Sequence, residues 1–203
     1  MNRLDIINFL IEKKNLKNYL EIGVFTGDVL NNCIAINKTG VDPVCNQYGG
    51  IFPIHCEDSN EYFNKLDEEC KFDLVFIDGL HVADQVFEDI VNSIKHLSND
   101  GYIVLHDCIP DNEHNSRSYL ERHNGSKWNG DVYIGYIDAI KTYNIEHYTV
   151  DTDEGCGILI PRNINLNLER QNYSKGWNYF EENKKELINV ISVDEFKLIF
   201  RYK

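Results

Sequence analysis

The stretch Tyr19-Leu20-Glu21-Ile22-Gly23-Val24-Phe25-Thr26-Gly27-Asp28-Val29-Leu30 decides the fold, because an apolar strand runs into an acid, two glycines and then a helical pattern. Glycine lets a backbone pass close to a ligand and take dihedrals that a side chain forbids. Gly23 and Gly27 therefore mark a turn where strand, helix and a bound molecule crowd together. A dinucleotide fold would place G-x-G-x-x-G here and present amides to a pyrophosphate. This turn reads E-x-G-x-x-x-G instead, and the carboxylate of Glu21 at the strand end suits a ligand with a cationic end better than a phosphate.

On the N-terminal side, Ile7, Leu10 and Ile11 at helical spacing predict a short amphipathic helix over Asp5 to Lys14. On the other side, Val29, Cys33 and Ile36 continue a helix to about Asn37, and a strand over Thr39 to Asp42 stops at Pro43. Asp42 then sits at the carboxyl end of a second strand, where a carboxylate can accept both hydroxyls of a ribose. An aspartate before proline is also a common turn residue, but its spacing from the glycine turn, one helix and one strand later, favours the ligand role. A third strand, Ile51 to His55, leads to Asp58 and Ser59. Asp58 is placed to meet an adenine amino group, or else Asp58 or Ser59 caps the helix marked by Tyr62, Phe63 and Leu66, with Ser59 the expected cap.

Phe72-Asp73-Leu74-Val75-Phe76-Ile77-Asp78-Gly79-Leu80-His81 carries the apolar run of a strand buried on both faces, followed by an acid, a glycine and a histidine. Val82, Val86, Ile90 and Ile94 define a helix ending near Asn99 to Gly101, and Tyr102 to Asp107 is a fifth strand that again ends in polar groups. Strands that alternate with helices and end in acids predict an α/β, Rossmann-like, doubly wound sheet, mostly parallel with helices on both faces. From about 108 to 131 periodicity vanishes, which predicts a lid-like loop carrying Trp128. A helix over Val132 to Ile140 follows. Two strands, Glu146 to Asp151 and Cys156 to Pro161, are then joined by the short turn Thr152-Asp153-Glu154-Gly155 that an antiparallel pair needs, and a helical tail starts at about 165.

The 203 residues fit one domain over 1–203. No apolar run is long enough to span a bilayer, and the first residues lack the layout of a signal peptide, so the expected location is cytoplasmic. Six cysteines without C-x-x-C spacing read as reduced, mostly buried thiols. With 33 acidic against 20 basic residues and a net charge of −13, nucleic acid and anionic membrane surfaces are unsuited as partners. A small-molecule or sugar acceptor is the expected partner, with room for a homo-oligomer.

Together, Glu21-x-Gly23-x-x-x-Gly27, Asp42, Phe76-Ile77-Asp78-Gly79-x-His81 and the pair His106-Asp107 resemble the class I S-adenosylmethionine-dependent methyltransferases. More narrowly, with Trp128-Asn129-Gly130-Asp131-Val132, the chain is similar to the macrocin-type and catechol-type O-methyltransferases of small molecules and sugars. The resemblance implies a seven-stranded sheet with an antiparallel last strand, in agreement with the strand pair read above. It implies that Gly23, Gly27 and Asp42 bind S-adenosyl-L-methionine, with Glu21 and Asp78 near its methionine end and Asp58 near adenine. It also implies a divalent metal, Mg²⁺, Mn²⁺ or Fe²⁺, on Asp78 and Asp107. His106 stands where macrocin-type relatives tend to have a second acid, and imidazole suits Mn²⁺ or Fe²⁺ better than hard Mg²⁺.

Methyl transfer to oxygen needs the acceptor hydroxyl in line with the methyl group and its proton removed as the bond forms. His81 is the expected base; the competing reading is that it only orients the helix beside it. Two other classes stay open from the residues: a non-haem iron hydroxylase using His81, His106 and one carboxylate, and a cofactor-binding module without catalysis.

Overall fold

The computed structural model describes residues 1–45, 52–122 and 127–202. Its sheet holds eight strands: β1 (Asn18–Ile22), β2 (Asn37–Val41), β3 (Ile54–His55), β4 (Phe72–Ile77), β5 (Leu97–Leu105), β6 (Glu146–Val150), β7 (Cys156–Ile160) and β8 (Val190–Ile191). Their order is β3-β2-β1-β4-β5-β7-β6-β8. The pairs among β1 to β5 are parallel, and β7 runs antiparallel to both β5 and β6. The expected antiparallel seventh strand is therefore present. The eighth, β8, adds parallel to β6 from within the tail, where its two residues are too short to carry a period. Of the third strand expected from Ile51, Ile51 itself lies outside the described residues.

Strand alternation sends side chains to two separate cores. Leu20 and Ile22 of β1, Val75 and Ile77 of β4, and Ile103 and Leu105 of β5 pack on one face, against Val86 and Ile90 of α4 (Ala83–Lys95) and Tyr136 and Ile140 of α5 (Val132–Tyr143). Tyr19, Leu74, Phe76, Tyr102 and Val104 pack on the other, against Ile7 and Leu10 of α1 (Arg3–Lys14) and Phe196 and Phe200 of α7 (Val193–Tyr202), the helix that follows α6 (Gly176–Leu187) and β8. Helices thus cover both faces, as a mostly parallel sheet requires. The helix after the glycine turn, α2 (Asp28–Asn32), is shorter than the periodicity predicts, and α4 gives way to β5 at Leu97.

Two local expectations are corrected. Asp58, not Ser59, caps α3 (Ser59–Lys65), its carboxylate accepting from the Glu61 amide at 2.8 Å. Cys45 and Cys56 form a disulfide with their Cα atoms 5.6 Å apart, whereas Cys33, Cys70, Cys108 and Cys156 are free thiols. The sequence spacing hid this bond because β2 and β3 are neighbours in the sheet and bring the two residues that follow them together.

The register sets the site. Ile22 pairs with both Val41 and Ile77, and Ile77 pairs with Leu105. The next residues in the chain, Gly23, Asp42, Asp78 and His106, therefore leave the sheet side by side along one edge. The approach is closest between β1 and β4: a Cβ built on Gly23, whose φ is +88°, would lie 2.2 Å from the carbonyl oxygen of Asp78. Gly23→Ala is expected to lose about 2 kcal/mol or more of stability in urea denaturation, while Gly79→Ala, whose Cβ would meet nothing nearer than 3.4 Å, loses less than about 1 kcal/mol. Equal midpoints for the two variants would show slack between these strand ends.

Candidate active site

The strand ends open into a cavity of about 1340 Å³ whose wall includes Gly23, Asp42, Asp58, Asp78, His81 and Asp107. The glycine turn is braced from β2. The Asp42 carboxylate accepts from the Phe25 amide at 2.8 Å and from the Val44 amide at 2.7 Å, and Gly23 donates to the Val41 carbonyl at 2.8 Å. Gly27, with φ at +83°, starts α2. Glu21 is 1% exposed and accepts from the Tyr19 hydroxyl at 2.6 Å. Burial pushes its carboxyl up to about 8 despite that hydrogen bond.

At the far end, four carboxylates converge: Asp78, Asp107, Asp153 and Glu154. Asp78 divides its oxygens. Oδ2 accepts from Arg3 at 2.8 Å, and Oδ1 faces His81 Nε2 at 3.4 Å and His106 Nδ1 at 3.5 Å. Asp107 Oδ2 lies 3.2 Å from His81 Nε2 and 3.1 Å from His106 Nδ1. Asp153 lies 3.6 Å from His106 Nε2 and accepts from the backbone amide and the guanidinium of Arg3 at 2.8 and 2.9 Å. Burial would raise the Asp78 carboxyl, but His106 and His81 hold it well below the usual carboxylate range. Burial alone would lower both imidazoles; the carboxylates outweigh it, raising His81 and pushing His106 up to about 12.

The arrangement fits a cation. Oxygens of Asp78 and Asp107 and a ring nitrogen of His81 come within 4.8 Å of one another. Both nitrogens of His106 are buried and make no aligned hydrogen bond despite three carboxylates nearby, so the ring is positioned by charge alone. The expected set of Asp78, His106 and Asp107 is thus assembled around the same point, but His81 is the imidazole in the tight group.

Four consecutive residues, Trp128 to Asp131, fasten the loop to this cluster. Trp128 stacks on His81 with ring centroids 5.4 Å apart, and its carbonyl lies 3.4 Å from His81 Nδ1. Asn129, fully buried, donates to Asp107 and Glu154. Gly130, with φ at +65°, passes so close to His81 that a Cβ would lie 2.0 Å from the His81 carbonyl oxygen. Asp131 accepts from the Ala83 amide at 2.8 Å and so caps α4 from outside the helix.

Sequence reasoning missed Arg3, Asn129, Asp153 and Glu154 as site residues. For Asp153 and Glu154 the signal was present: β6 runs in the common parallel direction, so its following turn must lie on the same edge as Asp78. Arg3 had no such signal, because only the packing of α1 on the sheet brings it there.

Comparison with known proteins agrees with this architecture. Residues 20–108 match the family model described as a methyltransferase domain. The chain superposes on the O-methyltransferase TomG of Streptomyces achromogenes, involved in tomaymycin synthesis and solved with S-adenosylmethionine, at a TM-score of 0.59 and 12% identity, covering 79% of this chain and 80% of that one. A Podospora anserina methyltransferase bound to S-adenosylhomocysteine matches at 0.58 and 14%, over 79% and 78%. The sugar N-methyltransferase KedS8 of Streptoalloteichus matches at 0.53 and 14%, over 79% and 87%. No curated protein sequence matches the chain. Residues 20–108 thus match a methyltransferase domain, and the chain as a whole shares the fold of these solved methyltransferases. No helix among the described residues is long and apolar enough to cross a membrane.

A buried acid in the cavity wall offers a test by pH. Asp89 of α4 is 1% exposed and accepts from Ser59 at 2.5 Å and Gln85 at 3.0 Å, and burial pushes its carboxyl up to about 6. A carboxyl with a folded pKa above its unfolded value of about 4 stabilises the fold fully below that value and loses the contribution as pH rises through about 6. Asp89→Asn should therefore gain on the wild type between pH 4 and 7, by about 1 to 3 kcal/mol at the upper end. A constant difference in Tm across that range would contradict the assignment.

Proposed function

We propose that the chain is an S-adenosylmethionine-dependent O-methyltransferase that acts on a hydroxyl of a small molecule or sugar with a divalent metal, and that residues 1–203 work as one cytoplasmic domain. The observation that carries this reading is the row of strand ends in one cavity: a glycine turn braced by Asp42 at one side and a histidine-bearing acidic cluster at the other. The cofactor's ribose goes to Asp42 and its adenine toward Asp58, whose carboxylate also caps α3. Its ammonium goes toward Asp78 and the turn at Glu21. The S-adenosylmethionine and S-adenosylhomocysteine held by two of the similar structures support the cofactor, and the sugar acted on by KedS8 supports a sugar among the acceptors.

Asp78 Oδ1, Asp107 and the imidazole of His106 are the groups that would hold the metal, His106 Nδ1 lying as near the two carboxylates as His81 Nε2 does. A divalent ion there supplies a Lewis acid that lowers the acceptor hydroxyl's pKa, and the nitrogen donor favours Mn²⁺ or Fe²⁺ over Mg²⁺. His81 takes the proton. Its Nδ1 faces the Trp128 carbonyl and its Nε2 faces Asp78 and Asp107, so a proton taken up at Nε2 is held between the two carboxylates. Trp128 and Asn129 fix the ring and the carboxylate on either side and wall the acceptor side from water.

The test is turnover, read as S-adenosylhomocysteine release, beside binding. Chelation should abolish release and Mn²⁺ should restore it; full activity in chelator would remove the metal from the reading. His81→Ala should bind cofactor and Mn²⁺ as the wild type does while kcat falls about 10²- to 10⁴-fold. Loss of Mn²⁺ binding would make His81 a ligand, and a wild-type kcat would return it to a structural role.

A further inference from the structure

Resting on the methyltransferase reading, we infer that the acceptor is a hydroxylated ring compound bearing a carboxylate, which Arg122 receives while the ring lies along Trp128. The loop presents a cation held by rings. The Arg122 guanidinium sits 4.4 Å from the Tyr119 ring and 5.4 Å from the Trp128 ring, and Tyr119 meets Trp128 edge-on at 5.9 Å. Trp128 is itself pinned, its indole N–H donating to the Arg117 carbonyl at 2.8 Å. Among the described residues Arg122 has no carboxylate partner and no side-chain hydrogen bond, so its fork of N–H donors is open although the cation's position is set.

The other lysine and arginine in the cavity wall are taken up by acids: Arg3 by Asp78 and Asp153, and Lys127 by Asp111 and Glu154. Arg122 lines the same cavity as His81 and Asp107. The indole that stacks on His81 is also the one beside Arg122, so both groups border one aromatic surface. A ring acid lying along that surface would turn a hydroxyl toward His81 and a carboxylate toward Arg122. An anionic acceptor otherwise faces four converging carboxylates, so a free guanidinium at the mouth is what allows it to enter. Neutral rings can stack on Trp128 but leave the donors of Arg122 unused.

The experiment is calorimetry on the full chain saturated with S-adenosylhomocysteine and Mn²⁺, using two probe pairs: 3,4-dihydroxybenzoate against catechol, and glucuronate against glucose. In at least one pair the acid should bind about ten-fold or more tightly than its neutral partner, and the pair that does so tells an aryl acid from a sugar acid. Arg122→Gln should reduce that preference to within about three-fold and leave S-adenosylhomocysteine binding unchanged, and Arg122→Lys should keep part of it, because the charge remains and the fork is lost. Arg122 is exposed, so neither variant disturbs the core. No acid preference in either pair, or a preference that survives Arg122→Gln, overturns the inference while the methyltransferase reading stands. Failure to bind S-adenosylhomocysteine at all would instead overturn that reading, and this inference with it.

Discussion

Four carboxylates brought to one edge of a parallel sheet are the constraint on which the rest of the site depends. Asp78, Asp107, Asp153 and Glu154 cannot share a partly buried space without compensating charge. Each neighbouring element supplies some. The N-terminal helix contributes Arg3, the ends of β4 and β5 contribute His81 and His106, and the loop contributes Lys127 and the Asn129 amide. The cluster therefore ties the first turn of the chain, the sheet, the loop and the β6–β7 turn into one unit. Thr152 adds to this by donating to the Met1 carbonyl at 2.5 Å. His106 supplies part of the compensating charge although its buried ring nitrogens lie among the carboxylates without an aligned hydrogen bond.

Backbone geometry at this edge is under matching demands. Asp107, Asp153 and Glu154 have φ values of 61°, 49° and 64°, in the left-handed region that side chains with a Cβ seldom take. Three such acids side by side mark a place where the chain gives up local preference to aim carboxylates at one point. The glycines at Gly23 and Gly130 relieve crowding where backbone must pass backbone, against Asp78 and His81 respectively.

Much of this was legible in the sequence. The strands with continuous apolar runs, β1, β4 and the core of β5, declared themselves, and with them Gly23, Asp78 and Asp107 at their ends, while Asp42 at the end of β2 was marked by Pro43 and by its spacing from the glycine turn. What stayed hidden depended on tertiary placement. Arg3 reaches the cluster only through the packing of α1, Asn129 only because Gly130 lets the loop turn close beneath His81, and the disulfide only through the pairing of β2 with β3. Ser59 was expected to cap a helix and instead bonds a buried acid on another helix, because Asp58 one residue earlier already meets the free amide. His81 and His106 were both visible, but which of them joins the tight donor group is settled by side-chain direction, which no spacing encodes.

The reaction proposed for this edge is transfer of a methyl group to oxygen. The direct measurement is nuclear magnetic resonance of a pool of hydroxylated ring acids and sugars incubated with the protein, Mn²⁺ and S-adenosylmethionine carrying a ¹³C methyl group. The account predicts that the label leaves the sulfonium and appears as a methyl ether, with one S-adenosylhomocysteine formed per ether. Label that stays on sulfur while the cofactor remains bound, or label that moves to nitrogen or carbon, would contradict it.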